Sequence, residues 1–106
     1  MISFKDFKKM EMRVGIVEKV EDMPQSEKLM KMQVDIGGEK RQVVAGLKGY
    51  YKPEELEGKK FVFVTNLEPA TLMGEKSEAM ILAAVKDGKV VLIQPEKDID
   101  IGATVE

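Results

Sequence analysis

Lys59-Lys60-Phe61-Val62-Phe63-Val64-Thr65-Asn66-Leu67-Glu68-Pro69-Ala70-Thr71-Leu72-Met73-Gly74-Glu75-Lys76-Ser77-Glu78-Ala79-Met80-Ile81-Leu82-Ala83-Ala84-Val85 is the stretch around which the chain is organised. Its two apolar runs, Phe61–Val64 and Ala79–Val85, are short and rich in β-branched and aromatic residues, which predicts two buried strands rather than helices. The loop between them is polar. Asn66 and Pro69 end the first strand, Gly74 permits a tight turn and Ser77 enters the second strand, so the spacing predicts Asn66, Lys76, Ser77 and Met80 around one surface point. Each residue also has an ordinary structural use: Asn66 as a turn former, Ser77 as a partner of local backbone, Met80 as a core filler.

Before this stretch the chain reads as three strands. Ser3-Phe4-Lys5-Asp6 has the form of a capping box, and Phe4, Phe7 and Met10 recur every third residue, which predicts a short N-terminal helix laying one apolar edge on the body. Arg13–Val20 reads as a strand in which Gly15 permits a bulge or sharp coiling. Met30–Ile36 alternates, with Met30, Met32, Val34 and Ile36 inward and Lys31, Gln33 and Asp35 outward on a solvated face. Gly37-Gly38 then makes a hairpin into Lys40–Ala45, and the register decides whether Arg41 or Gln42 faces Lys31 and Gln33. Pro53-Glu54-Glu55-Leu56, with proline first, acids in the first turn and Gly58 beyond, predicts a one-turn helix.

After the central stretch, Asp87-Gly88 is a hairpin turn into Val90–Ile93, and Pro95–Glu106 forms a tail whose Ile99, Ile101 and Val105 need cover. Three leading strands, a short helix and then further strands is the element order of an all-β OB-fold, a five-stranded Greek-key barrel that binds oligonucleotides on its strand 2–3 face, here with short helices and a C-terminal extension. Residues 1–106 are expected to form this one domain. The apolar surplus of the C-terminal segment, about residues 86–106, predicts a two-fold dimer made through it.

Hydrophobic residues are 43 % and charged residues 34 % of the chain, a globular balance. No apolar run approaches the ~20 residues that cross a bilayer, the first residues carry no signal-peptide block, and there is no cysteine, so a soluble, cytoplasmic chain without membrane attachment is expected. The absence of histidine and cysteine argues against zinc sites and most nucleophile–base pairs. No catalytic residue, metal ligand or cofactor is therefore assigned. Net charge is −2, yet residues 1–60 carry 13 basic and 11 acidic side chains against 4 and 8 in the remainder. Lys28–Lys52 holds six cations against Asp35 and Glu39, the one stretch with the makings of a phosphate footprint.

In order, Asn66-Leu67-Glu68-Pro69, Leu72-Met73-Gly74 and Ser77-Glu78-Ala79-Met80 resemble the Asn-Leu-x-Pro, Met-Gly and Ser-x-Gly-Met signature of the tRNA-binding domain family, which includes the C-terminal appendage and β-subunit of methionyl-tRNA synthetases. The resemblance covers nearly the whole chain. Asp6–Gly15 looks like the family's opening, with Glu11 in place of its acid; Ser26-Glu27-Lys28-Leu29 resembles Ala-Asp-Lys-Leu, and Arg41–Leu47 resembles Arg-Gln-Ile-Val-Ser-Gly-Ile. Ala45 and Ala79 depart from the family's usual serine and glycine. The resemblance implies an OB-fold, a homodimer through the C-terminal extension, and a non-catalytic module that binds tRNA as a folded structure and assists a methionyl-tRNA synthetase. In such a role Lys28, Lys31, Arg41 and Lys48 are expected to meet phosphates, Asn66 and Ser77 to hydrogen-bond a 2′-hydroxyl or an exposed base, and Met80 to support an apolar contact with a base or ribose, with Lys76 also among the RNA-binding residues. Ser77-Glu78 is also similar to the secretion chaperones of the same fold, so a dimeric peptide-binding module is the alternative.

Overall fold

The computed structural model describes residues 1–106. Helix α1 (Phe4–Phe7) precedes β1 (Met12–Asp22), β2 (Met30–Asp35), β3 (Lys40–Ala45), helix α2 (Pro53–Leu56), β4 (Lys60–Val64), β5 (Ala70–Leu72), β6 (Glu75–Ser77), β7 (Met80–Ile81), β8 (Ala83–Lys86), β9 (Lys89–Leu92) and β10 (Thr104–Val105). The main sheet runs β3-β2-β1-β4-β7, all antiparallel. It curls until β3 meets the chain entering β7, giving the expected nearly closed five-stranded, OB-like barrel. No helix is long and apolar enough to cross a membrane.

Alternation builds the interior. Met32, Val34, Val43, Phe61 and Phe63 point into the barrel with Val17, and Leu56 of α2 plugs one end. The apolar run Phe61–Val64 is continuous because both faces of β4 are covered. Phe61 and Phe63 fill the barrel, while Val62 and Val64 form a second cluster with Met12 under Phe7, Leu82 and Val105. The helix α1 is capped as expected, Ser3 Oγ accepting from the Asp6 amide at 3.1 Å. Of its apolar edge only Phe7 packs; Phe4 and Met10 are exposed.

Two-residue turns at Gly37-Gly38, Met73-Gly74 and Asp87-Gly88 all have positive φ, the backbone that a tight hairpin between twisted strands requires. Three expectations change. Gly15 is not the bulge; the pairing of β1 with β2 shifts between Val17 and Lys19. Glycine is needed at 15 because a Cβ there would sit 3.0 Å from both Phe63 Cδ1 and Val34 Cγ1. The run Ala79–Val85 is not one buried strand, since it breaks at Leu82 and Ala83–Lys86 is exposed on a separate hairpin with β9. The connecting loop is itself a hairpin, β5–β6.

The tail folds onto its own chain. Gly102 donates to Val14 O at 2.7 Å and Val14 to Ala103 O at 2.9 Å, while β10 pairs with β1 through Met12–Val105. Ile101 and Val105 are thereby half covered without a partner molecule. Val85, Val91, Ile93 and Ile99 stay exposed.

Candidate nucleic-acid interface

The register settles the strand 2–3 face. Gln33 lies opposite Gln42, and Val34 opposite Arg41, so Gln42 joins Lys31 and Gln33 on the outer face while Arg41 starts from the inner one. That outer face is not open. The β5–β6 hairpin crosses it, burying Val44, and the polar side chains beneath bond to one another: Gln33 Nε2 donates to Glu21 Oε1 at 3.0 Å and to Gln42 Oε1 at 3.1 Å. Gln42 Nε2 donates in turn to Lys76 O at 2.8 Å.

Most of the expected phosphate-binding cations are engaged within the molecule. Lys31 Nζ is 3.2 Å from Glu75 Oε2 and 3.9 Å from Glu21 Oε2. Arg41 reaches into the gap between β3 and β7, donating to Thr65 O at 2.7 Å and Glu78 O at 3.0 Å, and also meets Glu39 at 2.6 Å. Lys48 Nζ turns back into the β1–β2 loop, bonding Met23 O at 2.9 Å, Ser26 O at 2.7 Å and Asp22 Oδ1 at 2.7 Å. The Lys48 ammonium holds the Asp22 carboxyl below the usual aspartate range. Lys28 and Lys76 are exposed and form no ion pair.

The signature loop divides in the same way. Asn66 binds the segment after α1, its Oδ1 accepting from the Glu11 amide at 2.8 Å and its Nδ2 donating to Lys9 O at 2.7 Å. Beside it, Thr65 Oγ1 donates to Glu11 Oε1 at 2.6 Å, and that bond lowers the Glu11 pKa. Ser77 is buried; its Oγ accepts from the Val44 amide at 3.0 Å and donates to Ala79 O at 3.1 Å. Asn66 and Ser77 thus each have an internal task; Ser77 also lines the same cleft as Met80, whereas Asn66 and Lys76 do not, so only Ser77 and Met80 of the four expected neighbours share one surface point. Met80 does face outward, across an apolar cleft of about 360 Å³ that it lines with Leu67, Leu72, Ile81 and Ala45. Ala45 and Ala79 are both at this cleft, the first adding no hydroxyl to its wall.

A second cleft, about 400 Å³, opens between the β1–β2 loop and the segment after β3, with Lys28, Glu27 and Tyr50 on its walls. Sequence pattern does not single out Tyr50, whose neighbour Tyr51 is the one with an internal role, its hydroxyl accepting from the Leu92 amide at 3.0 Å. The only signal is a lysine, a glycine and an aromatic residue in succession at Lys48-Gly49-Tyr50.

Residues 12–104 match the family described as "Putative tRNA binding domain". The chain is 53 % identical over 105 residues to the methionine–tRNA ligase of Methanococcus aeolicus, a match covering 99 % of this chain and 16 % of the ligase. The chain thus spans about one sixth of the length of the curated relatives it matches. Among solved structures, a MetRS related protein from Pyrococcus horikoshii superimposes with a TM-score of 0.94 at 42 % identity, covering 100 % of this chain and 98 % of that one. The chaperone CsaA of Bacillus anthracis superimposes with a TM-score of 0.90 at 32 % identity, covering 100 % and 99 %.

Proposed function

Because the chain belongs to the tRNA-binding domain family, we propose that it is a non-catalytic module that binds folded tRNA and assists aminoacylation, as the C-terminal part or β-subunit of a methionyl-tRNA synthetase. The observation that carries this reading is the match of nearly the whole chain to about one sixth of the length of methionine–tRNA ligases at about half identity. The site is suited to holding RNA rather than transforming it. Lys28 and Lys76 offer free ammonium groups for phosphates, and Met80 with Leu67 offers an apolar wall to a base or ribose. Lys31, Arg41 and Lys48 would add phosphate contacts only by exchanging internal partners, and Asn66 and Ser77 act by holding the frame on which the surface sits.

So small a patch on a chain of net charge −2 binds weakly alone. Association through the exposed Val85, Val91, Ile93 and Ile99 of the C-terminal segment presents two patches to one tRNA. Attachment to a synthetase raises the tRNA concentration at its active site. The compartment of such a module is the cytoplasm. Adding the chain to the catalytic part of a methionyl-tRNA synthetase should lower KM for tRNA and leave kcat near its starting value. A KM that does not respond, with the chain present as a dimer by light scattering, would remove the assisting role.

The likeness to a chaperone and the apolar lining of the Met80 cleft support a second reading, a dimeric peptide-binding module. It requires peptide binding that survives high salt and is not displaced by tRNA.

A further inference from the structure

The cleft beside Tyr50 has the features of a built recognition site, and none of the motifs that point to RNA includes its aromatic wall. The Tyr50 side chain is half exposed, at 51 %, although its backbone is fixed by donation to Leu47 O at 2.9 Å. Opposite it, the loop carrying Glu27 and Lys28 is held from both sides. Ser26 Oγ accepts from the Lys28 and Leu29 amides at 3.1 and 3.0 Å, and the Lys48 amide donates to Lys28 O at 3.0 Å. The three bonds of the Lys48 ammonium to Asp22, Met23 and Ser26 complete the brace. The backbone on both sides of the cleft is therefore held, which lowers the ordering entropy lost on binding. Gly46 lines both this cleft and the Met80 cleft, so the two border one residue without a side chain, and a Cβ placed there would meet nothing within 4 Å.

Resting on the tRNA reading, we propose that the Tyr50 cleft is a stacking site for one unpaired nucleotide of the bound RNA. Its neighbour in the strand passes over Gly46 to the Met80 cleft. An aromatic face accepts any base by stacking but needs the base unstacked from its own helix, which selects loops and ends over paired regions. Lys28 meets the phosphate as a point charge. The Glu27 carboxylate accepts hydrogen bonds only, so it favours a base edge or 2′-hydroxyl that donates and disfavours a phosphate on its side of the cleft. A ligand with separated anionic and donor groups around a flat ring fits this division; a purely apolar side chain leaves both charges unused.

The test is equilibrium titration of bulk tRNA, and of a fully paired RNA duplex, with wild type, Tyr50→Ala, Tyr50→Phe and Gly46→Val, each checked for an unchanged melting temperature. Tyr50→Ala should weaken tRNA binding about tenfold or more, Tyr50→Phe should bind as wild type, and duplex binding should not distinguish them. Gly46 has no positive φ, so valine is accommodated there and should weaken tRNA binding by closing the passage. If wild type binds tRNA and both Tyr50→Ala and Gly46→Val bind equally well, the stacking site is wrong while the tRNA reading stands. If wild type binds no tRNA, the reading beneath it fails first. A peptide that competes at this cleft and depends on Tyr50 would also overturn the assignment to a nucleotide.

Discussion

Ser77 Oγ accepts the amide hydrogen of Val44 across 3.0 Å, joining residues 33 positions apart where β3 meets the chain entering β7. The same seam carries the Glu78 amide to Gln42 O at 2.7 Å and the Gln42 amide to Glu78 Oε1 at 3.1 Å. Ser77 thus closes the barrel. Ser77→Ala leaves a buried amide without a partner, at a cost of about 1–3 kcal/mol. We predict a lowered melting temperature and an unchanged tRNA affinity for the protein that remains folded. A loss of affinity at full stability would restore Ser77 to the RNA contacts.

Gly15 is pinned by close approach rather than by backbone angle. A Cβ at 3.0 Å from Phe63 Cδ1 and Val34 Cγ1, and 3.1 Å from Asp35 O, must push two fully buried side chains and a strand carbonyl. Gly15→Ala is predicted to destabilise by about 1–3 kcal/mol, as overpacking does. Chemical denaturation checks it, and a stability equal to wild type would show that the barrel relaxes there.

The cations sort by what they already hold. Neutralising one phosphate contributes roughly −0.7 to −0.9 to the slope of log K against log salt. Lys28→Gln should therefore flatten that slope by about one and weaken all RNAs alike. Lys31→Gln should change the slope less and lower stability, since it leaves Glu75 and Glu21 facing each other. The opposite ranking would place the phosphate path on the strand 2–3 face instead of the Lys28 loop.

Asp22 and Asp35 are held below the ordinary aspartate value of 3.8, Asp22 by Lys48 and Asp35 by the Gly38 amide. A lowered folded-state pKa means that their contribution is complete above the unfolded value and is lost as pH falls through the folded one. Lys40, raised above 10.5 by Glu18 and Asp35, contributes below its unfolded value and loses that contribution as pH rises through its folded one. With no histidine, the melting temperature should be nearly flat from about pH 5 to 9 and fall below about pH 4. Asp22→Asn should make the acid fall shallower. A transition near neutral pH would contradict this account.

Local chemistry made much of the fold legible. Gly37-Gly38 and Asp87-Gly88 specify their own turns, Pro53-Glu54-Glu55-Leu56 its own helix, and the alternation of Met30–Ile36 its own face, because each depends on neighbours in sequence. The candidate site was less legible because its side chains answer to distant partners. The isolated pattern of Lys48 cannot show that its ammonium turns inward to Met23 O and Ser26 O, nor that Arg41 fills a gap bounded by Thr65 and Glu78. Ala83–Val85 is apolar like a core strand, yet it sits on a projecting hairpin. Apolar character marks a surface that needs cover without saying whether its own chain provides it.

Titration of labelled bulk tRNA with the protein at low salt, repeated with an unstructured RNA of equal length and with an extended apolar peptide as competitor, tests the central claim most directly. The account predicts a saturable tRNA complex, weaker binding of the unstructured RNA, loss of affinity with rising salt, and no displacement by peptide. No complex up to high micromolar protein, or a salt-insensitive peptide complex that tRNA does not disturb, would contradict it.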